Sequence, residues 1–115
     1  MLAGDVPVLV HNSSPCISTK LSQKQYRHVE GRPDFGGGSY LKTFNDGEQV
    51  LDAYHAGRTT VLGTTKEGHT VIRYDGVTGY NNNPGAGYVD QPTNVFMIKG
   101  TAKPSIVPTN PNWTP

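Results

Sequence analysis

Two patterns of apolar residues divide this chain at Gly57: helical spacing before it, strand alternation after it. Ser22 is suited to cap a short helix, with Gln25 three positions on in a capping-box arrangement. That helix is expected to run to about Val29 and stop at Gly31, with Pro33 beyond. The glycine run in FGGGS, residues 35–39, predicts a flexible or tightly turned loop. Asn45 or Asp46 would cap a second helix over GEQVLDAYHA, in which Val50, Leu51 and Tyr54 share a face and Gly57 ends the last turn.

Beyond Gly57, TTVLGTT and HTVIRYDG are β-branched runs joined by Lys66-Glu67-Gly68, a hairpin signal. The stretch VTGYNNNPGAGYVDQP, residues 77–92, reads as a long loop of Gly, Asn and Pro. NVFMIKG and PSIVP read as two further short strands, and TNPNWTP as a proline-punctuated tail. The order predicts an α+β fold, with N-terminal helices packed on one face of a roughly four-stranded antiparallel sheet. A separate apolar strand, Val6 to Val10, ends in His11-Asn12 and is followed by the breaker SSP. The chain is therefore divided into residues 1–12, a linker over 13–20 and one domain over 21–115.

Composition narrows the function classes. No apolar run approaches the ~20 residues of a membrane span, and no charged stretch followed by an apolar block marks a signal peptide. Ten Lys plus Arg against nine Asp plus Glu give a net charge of +1, so nucleic-acid binding requires a local cluster rather than bulk charge. The single cysteine, Cys16, excludes an internal disulfide and a cysteine-based zinc cage. His11, His28, His55 and His69 are scattered without metal-ligand spacing, so neither a metal nor another cofactor is expected.

The string VLVHN followed by Ser carries chemistry of its own. An asparagine can cyclise onto its backbone carbonyl, a preceding histidine can protonate the leaving amide, and a following hydroxyl can take part in acyl transfer. His11, Asn12 and Ser13 have those types in that order. LAGDVPVLVHN resembles the end of the self-processing, intein-like domain that precedes the toxic tip of Rhs-type and other polymorphic toxins. The resemblance implies that residues 1–12 are the tail of an upstream pretoxin domain, and that the remainder is a toxin delivered by a secreted effector into the cytoplasm of a target bacterium.

KQYRHVEG, residues 24–31, gathers Lys24, Arg27 and His28, which on an α-helix share one face. Cations around an imidazole can hold a phosphate while the ring moves a proton. Cleavage of RNA at a 2′-OH needs a base, a cation for the phosphorane and an acid for the 5′ oxygen, and no metal. A solvated basic helix face with an incidental histidine fits the local pattern as well.

The segment KxxRH followed by Asp34-Phe35-Gly36 is similar to the lysine-rich KxKHAxDFG segment of colicin D, a tRNA anticodon nuclease, with VEGRP inserted. The helix and strand order looks like the barnase–EndoU–colicin–RelE fold of contact-dependent and Rhs toxins. Toxins of that group often open with K-Q-x-[KR]-H-[IV]-x-G, as Lys24 to Gly31 does, and end in a V-P-x-x-P-type tail, like Val107, Pro108 and Pro111. Carried over, His28 would be the general base, with Lys24 and Arg27 as phosphate ligands. The catalytic hydroxyl has Ser39, Thr101 and Thr109 as options, with Ser39 and Thr109 preferred. The implied substrate is RNA, and tRNA above other RNAs. The implied partners are a cognate acidic immunity protein and, as a host factor, elongation factor Tu.

The remaining candidates each have a plain structural alternative. Glu30 could serve as base in place of His28, but an adjacent helix position points away. Arg73 and Lys99 would clamp phosphate if their strands turn them inward, and would be ordinary outward residues otherwise. Tyr80 and the NNN run could read bases, and Trp113 could stack on one or close a small core. His55 suits a helix C-terminus, and His69 abuts a hairpin turn where exposure is expected. Two other classes stay open: an ADP-ribosyltransferase-type toxin, faintly echoed by VEG and SYL, and a non-enzymatic binding module. A zinc deaminase lacks its HxE and CxxC set, and an HNH nuclease its paired histidines.

Overall fold

The structure, a computed structural model, describes residues 17–31 and 38–115. The Val6–Val10 strand, the junction His11, Asn12 and Ser13, Cys16 and Asp34-Phe35-Gly36 lie outside the described residues. The fold is α+β, with a four-stranded antiparallel sheet in the order β1-β2-β5-β6 and a second, two-stranded sheet.

The main-sheet strands are β1 (Thr60–Thr64), β2 (Thr70–Arg73), β5 (Val95–Lys99) and β6 (Ser105–Pro108). All four fall within the four runs read as strands. Gly68, at φ +89°, closes the β1–β2 hairpin where an L side chain would be strained. The stretch read as one long loop is instead a second hairpin, β3 (Gly79–Asn83) and β4 (Tyr88–Thr93), joined by a single 3₁₀ turn, Pro84–Ala86. Its asparagines and glycines concealed strands that pair through backbone rather than through apolar alternation.

Helix α1 (Phe44–His55) is capped by Thr43, whose hydroxyl accepts from Asp46 N–H at 3.1 Å, not by Asn45 or Asp46. Gly57 follows its C-terminus at φ +73°, as expected. Val50 and Leu51 pack against Ile72, Phe96, Ile98 and Ile106, with Tyr54 at the margin, and this is the core. Cross-strand partners share a face, so Ile72, Phe96 and Pro108 form one row, and Thr70, Ile98 and Ile106 another, both on the α1 side. Alternate residues turn to the opposite face.

The predicted first helix is a six-residue 3₁₀ segment, Gln23–His28, rather than an α-helix. Ser22 caps it, accepting from Lys24 N–H at 3.0 Å. Gln25 does not close a capping box, because Ser22 N–H donates to Pro104 O and the Gln25 amide is bonded to Ile106. Val29 ends the segment in extended conformation, in a parallel bridge with Leu41. One short turn is all that fits between that bridge and the edge of β6. The packed body reaches back to Ile17, which is buried in the core, and to Ser18, whose N–H donates to Thr101 O at 2.8 Å.

Candidate active site

The 3₁₀ segment runs along the outer edge of β6 and covers it. Gln25, fully buried, donates to Ile106 O at 2.9 Å and accepts from Ile106 N–H at 2.6 Å. Its amide thus meets the two backbone groups that a further strand would meet. With Gln25 turned inward, Lys24 and Arg27 are left exposed and His28 half-buried. Lys24 and Arg27 are three apart and eclipsed at the 3₁₀ repeat.

These three side chains line a cleft of about 350 Å³ together with His69, Lys99, Gly100, Lys103 and Ser105. The register explains the second wall. Lys99 pairs with Ser105, and one position beyond the Thr70–Ile98 pair His69 falls beside Lys99. His69, Lys99 and Ser105 therefore form a row across β2, β5 and β6 on the face turned away from α1. His28 lies at one end of this row, and His69 at the other.

Burial lowers the pKa of His28 below its usual value, and the positive charges of Lys99 and Arg27 lower it further. A hydrogen bond to the Ser39 backbone opposes them without prevailing. The lowered pKa favours the neutral imidazole beside these cations, the state a proton acceptor requires.

A second cleft of about 460 Å³ adjoins the first and shares Lys24 and Lys103 with it, adding Ser18, Lys20, Leu21, Ser22, Gln23 and Ala102. Lys20, Lys24, Arg27, Lys99 and Lys103 line the two clefts, five of the chain's ten Lys and Arg, and no carboxylate lines either. Half of the cations of a near-neutral chain thus lie at two adjoining clefts, one of which holds His28.

Other sequence candidates lie elsewhere. Ser39 reaches the site through its backbone, while its hydroxyl donates to Asn81 Oδ1 at 3.2 Å and accepts from Asn82 N–H at 3.0 Å. Thr109 and Arg73 belong to the opposite end of the sheet. Thr109 N–H donates to Val95 O, and Arg73 pairs with Val95. Each is four residues along its strand from the cleft row, roughly 13 Å at strand rise. Thr101 lies in a neighbouring depression with Ile17 and Gly68. Tyr80 stacks on Tyr40 with ring centroids 5.2 Å apart, and Lys42 Nζ stands 5.0 Å over it. Of the asparagine run, Asn81 is buried and donates to Gln91 Oε1 at 2.9 Å. Trp113 packs on β1: a Cβ on Gly63 would lie 3.2 Å from its ring, so the tail returns across the sheet from β6. Glu30 turns away to an ion pair with Lys42 at 3.1 Å, and His55 Nε2 bonds Ser18 O at 3.1 Å.

Sequence reading missed Lys20, Lys103, Ser105 and, above all, His69, which is half-buried in the cleft wall rather than exposed. The available signal was alternation: Thr70 and Ile72 face the core, so His69 must face the other way. Among the described residues, no three His, Cys, Asp or Glu side chains converge as metal ligands would, and no helix is long and apolar enough to cross a membrane. No family model matches the chain, and a search of curated proteins finds no match.

Proposed function

We propose that this chain is a metal-independent ribonuclease, the toxic tip of a secreted antibacterial effector, that cuts RNA by attack of a 2′-OH on the adjacent phosphodiester. One observation carries the reading. A half-buried imidazole with lowered pKa lies in a cleft lined by Lys24, Arg27, Lys99 and Lys103 and by no carboxylate. His28 removes the 2′ proton. The four cations bind the scissile phosphate and offset the charge that builds on its equatorial oxygens. The products are a 2′,3′-cyclic phosphate and a free 5′-OH. ADP-ribosyl transfer is less well supported, because its glutamate has no counterpart in the cleft lining and Glu30 is engaged by Lys42.

The proposed substrate is tRNA. A cell making such an enzyme needs a cognate immunity protein, and a polarised cleft favours an acidic one that covers the His28 face. Elongation factor Tu is proposed only as an assisting host factor.

The test is incubation of the purified chain with total RNA and with tRNA, followed by mapping of the new ends. Cyclic phosphates that form equally in EDTA are expected. Intact RNA accompanied by loss of NAD, or cleavage that requires added magnesium, would overturn the proposal.

A further inference from the structure

We propose that His69 is the catalytic acid of this cleft, protonating the leaving 5′ oxygen from the side opposite His28. The inference rests on the ribonuclease reading and adds to it the residue that completes the reaction.

In-line displacement at phosphorus sets the entering and leaving oxygens on opposite sides of the phosphoryl group. A base and an acid must therefore approach from opposite directions. The cleft has that layout. His28 enters from the 3₁₀ segment beyond β6, and His69 from the start of β2, with Ser105 and Lys99 on the two strands between. Strand spacing of ~4.8 Å sets β2 roughly 10 Å from β6, and the segment carrying His28 lies outside β6, so the two backbones are farther apart still. Both imidazoles line the cleft within that span, and a phosphoryl group between them would lie over Lys99.

The other groups in the cleft are poor acids for this step. Ammonium and guanidinium hold their protons too tightly near neutral pH, and a serine hydroxyl more tightly still. An imidazolium is the matched donor, and His69 is the second imidazole in the cleft lining. Its backbone is fixed by the hairpin: His69 O accepts from Thr65 N–H at 2.9 Å, and His69 N–H donates to Thr65 Oγ1 at 3.1 Å. Among the described residues its ring has no hydrogen-bond partner, so both ring nitrogens are available to a substrate.

The step balances. The 2′ oxygen loses its proton to a ring nitrogen of His28 and forms a bond to phosphorus. The bond from phosphorus to the 5′ oxygen breaks, and that oxygen takes the proton of His69. The enzyme is left with His28 protonated and His69 neutral, and exchange with water restores both.

The experiment uses the full chain and two RNAs carrying its mapped cleavage site. One is native, and the other has sulfur in place of the 5′ oxygen at the scissile bond. A thiolate leaves without a proton. His69→Ala should lower cleavage of native RNA by about 10²–10⁴-fold, yet cut the sulfur-bridged RNA within about tenfold of the wild-type rate. His28→Ala should fail on both. His69→Gln, matched to wild type in thermal unfolding, should repeat the His69→Ala pattern and so separates chemistry from folding. Equal losses of His69→Ala on both substrates, or wild-type cleavage of native RNA by it, would overturn the assignment. Cleavage of neither RNA by the wild-type chain would instead remove the ribonuclease reading itself.

Discussion

The side-chain amide of Gln25 is bonded to both backbone groups of Ile106, 81 residues further along the chain. This pair attaches the segment carrying Lys24, Arg27 and His28 to the edge of the main sheet. It also satisfies an N–H and a carbonyl that would otherwise be buried without partners. Each orphaned buried group costs about 1–3 kcal/mol. Gln25→Leu should therefore destabilise the fold by about 2–6 kcal/mol, read as a lower urea midpoint, and should reduce cleavage even where the protein stays folded. An unchanged midpoint would show that the segment is held by other contacts.

The lowered pKa of His28 fixes the sign of a pH effect. A base works when deprotonated, and His28 stays deprotonated to a pH below its usual 6.5. The acid limb of the logarithm of kcat/KM, with unit slope, should therefore lie below that value. Burial is the largest cause, Lys99 the next, and Arg27 a smaller one. Lys99→Gln should move the acid limb to higher pH, and Arg27→Gln should move it less. The midpoint of the limb is the quantity to compare, since both substitutions also weaken phosphate binding. A limb that stays in place in Lys99→Gln would show that this lysine does not act on the base.

Ser39 separates two roles that the sequence could not. Its hydroxyl is engaged by Asn81 and Asn82, while its backbone bonds His28. Tyr40, the next residue, exchanges two 2.9 Å backbone bonds with Tyr80, which fixes this stretch to the second hairpin. Ser39→Ala removes the hydroxyl and keeps the carbonyl. Cleavage should stay within a few-fold of wild type, with stability lowered by about 1 kcal/mol for a lost hydrogen bond. A loss of a hundredfold without unfolding would return the hydroxyl to the reaction.

The legible parts of the sequence are those in which side-chain pattern and backbone agree. α1, β2, β5 and β6 bury apolar residues in the core, so Leu51, Ile72, Phe96 and Ile106 announce themselves, whereas β1 is legible by its β-branched residues alone, with Val61 exposed. The β3–β4 hairpin does not. Gly79 belongs to it because a Cβ there would lie 2.6 Å from Pro108, a close approach that alternation cannot report. The cleft was half legible for the same reason. Lys24, Arg27 and His28 are neighbours in sequence and could be gathered by inspection. His69, Lys99 and Ser105 come together only through strand register, and Lys103 through the turn before β6. Thr109 and Arg73 were placed at the site by residue type, and register carries them to the far end of the sheet.

The second cleft yields a prediction independent of the chemistry. Of the two clefts Lys20 lines only the second, and Lys24 and Lys103 line both, so the cations form a continuous track leading away from His28. A polyanion longer than one phosphodiester would place flanking phosphates on that track. Each phosphate neutralised in single-stranded nucleic acid adds about 0.7 to the salt slope of log affinity. Lys20→Ala combined with Lys103→Ala should therefore lower the steepness of that slope by about 1.4 and raise KM at fixed salt. Lys20→Ala alone should leave kcat at saturation unchanged, because Lys20 is remote from the scissile phosphate. Lys66→Ala, on the β1–β2 turn and outside both clefts, is the control for bulk charge and should alter neither quantity. The comparison is made by measuring cleavage rates against RNA concentration at several salt concentrations. Equal effects from Lys66→Ala and Lys20→Ala would mean that net charge, not a track, attracts the substrate. A fall in kcat with Lys20→Ala would mean that the track takes part in the reaction itself.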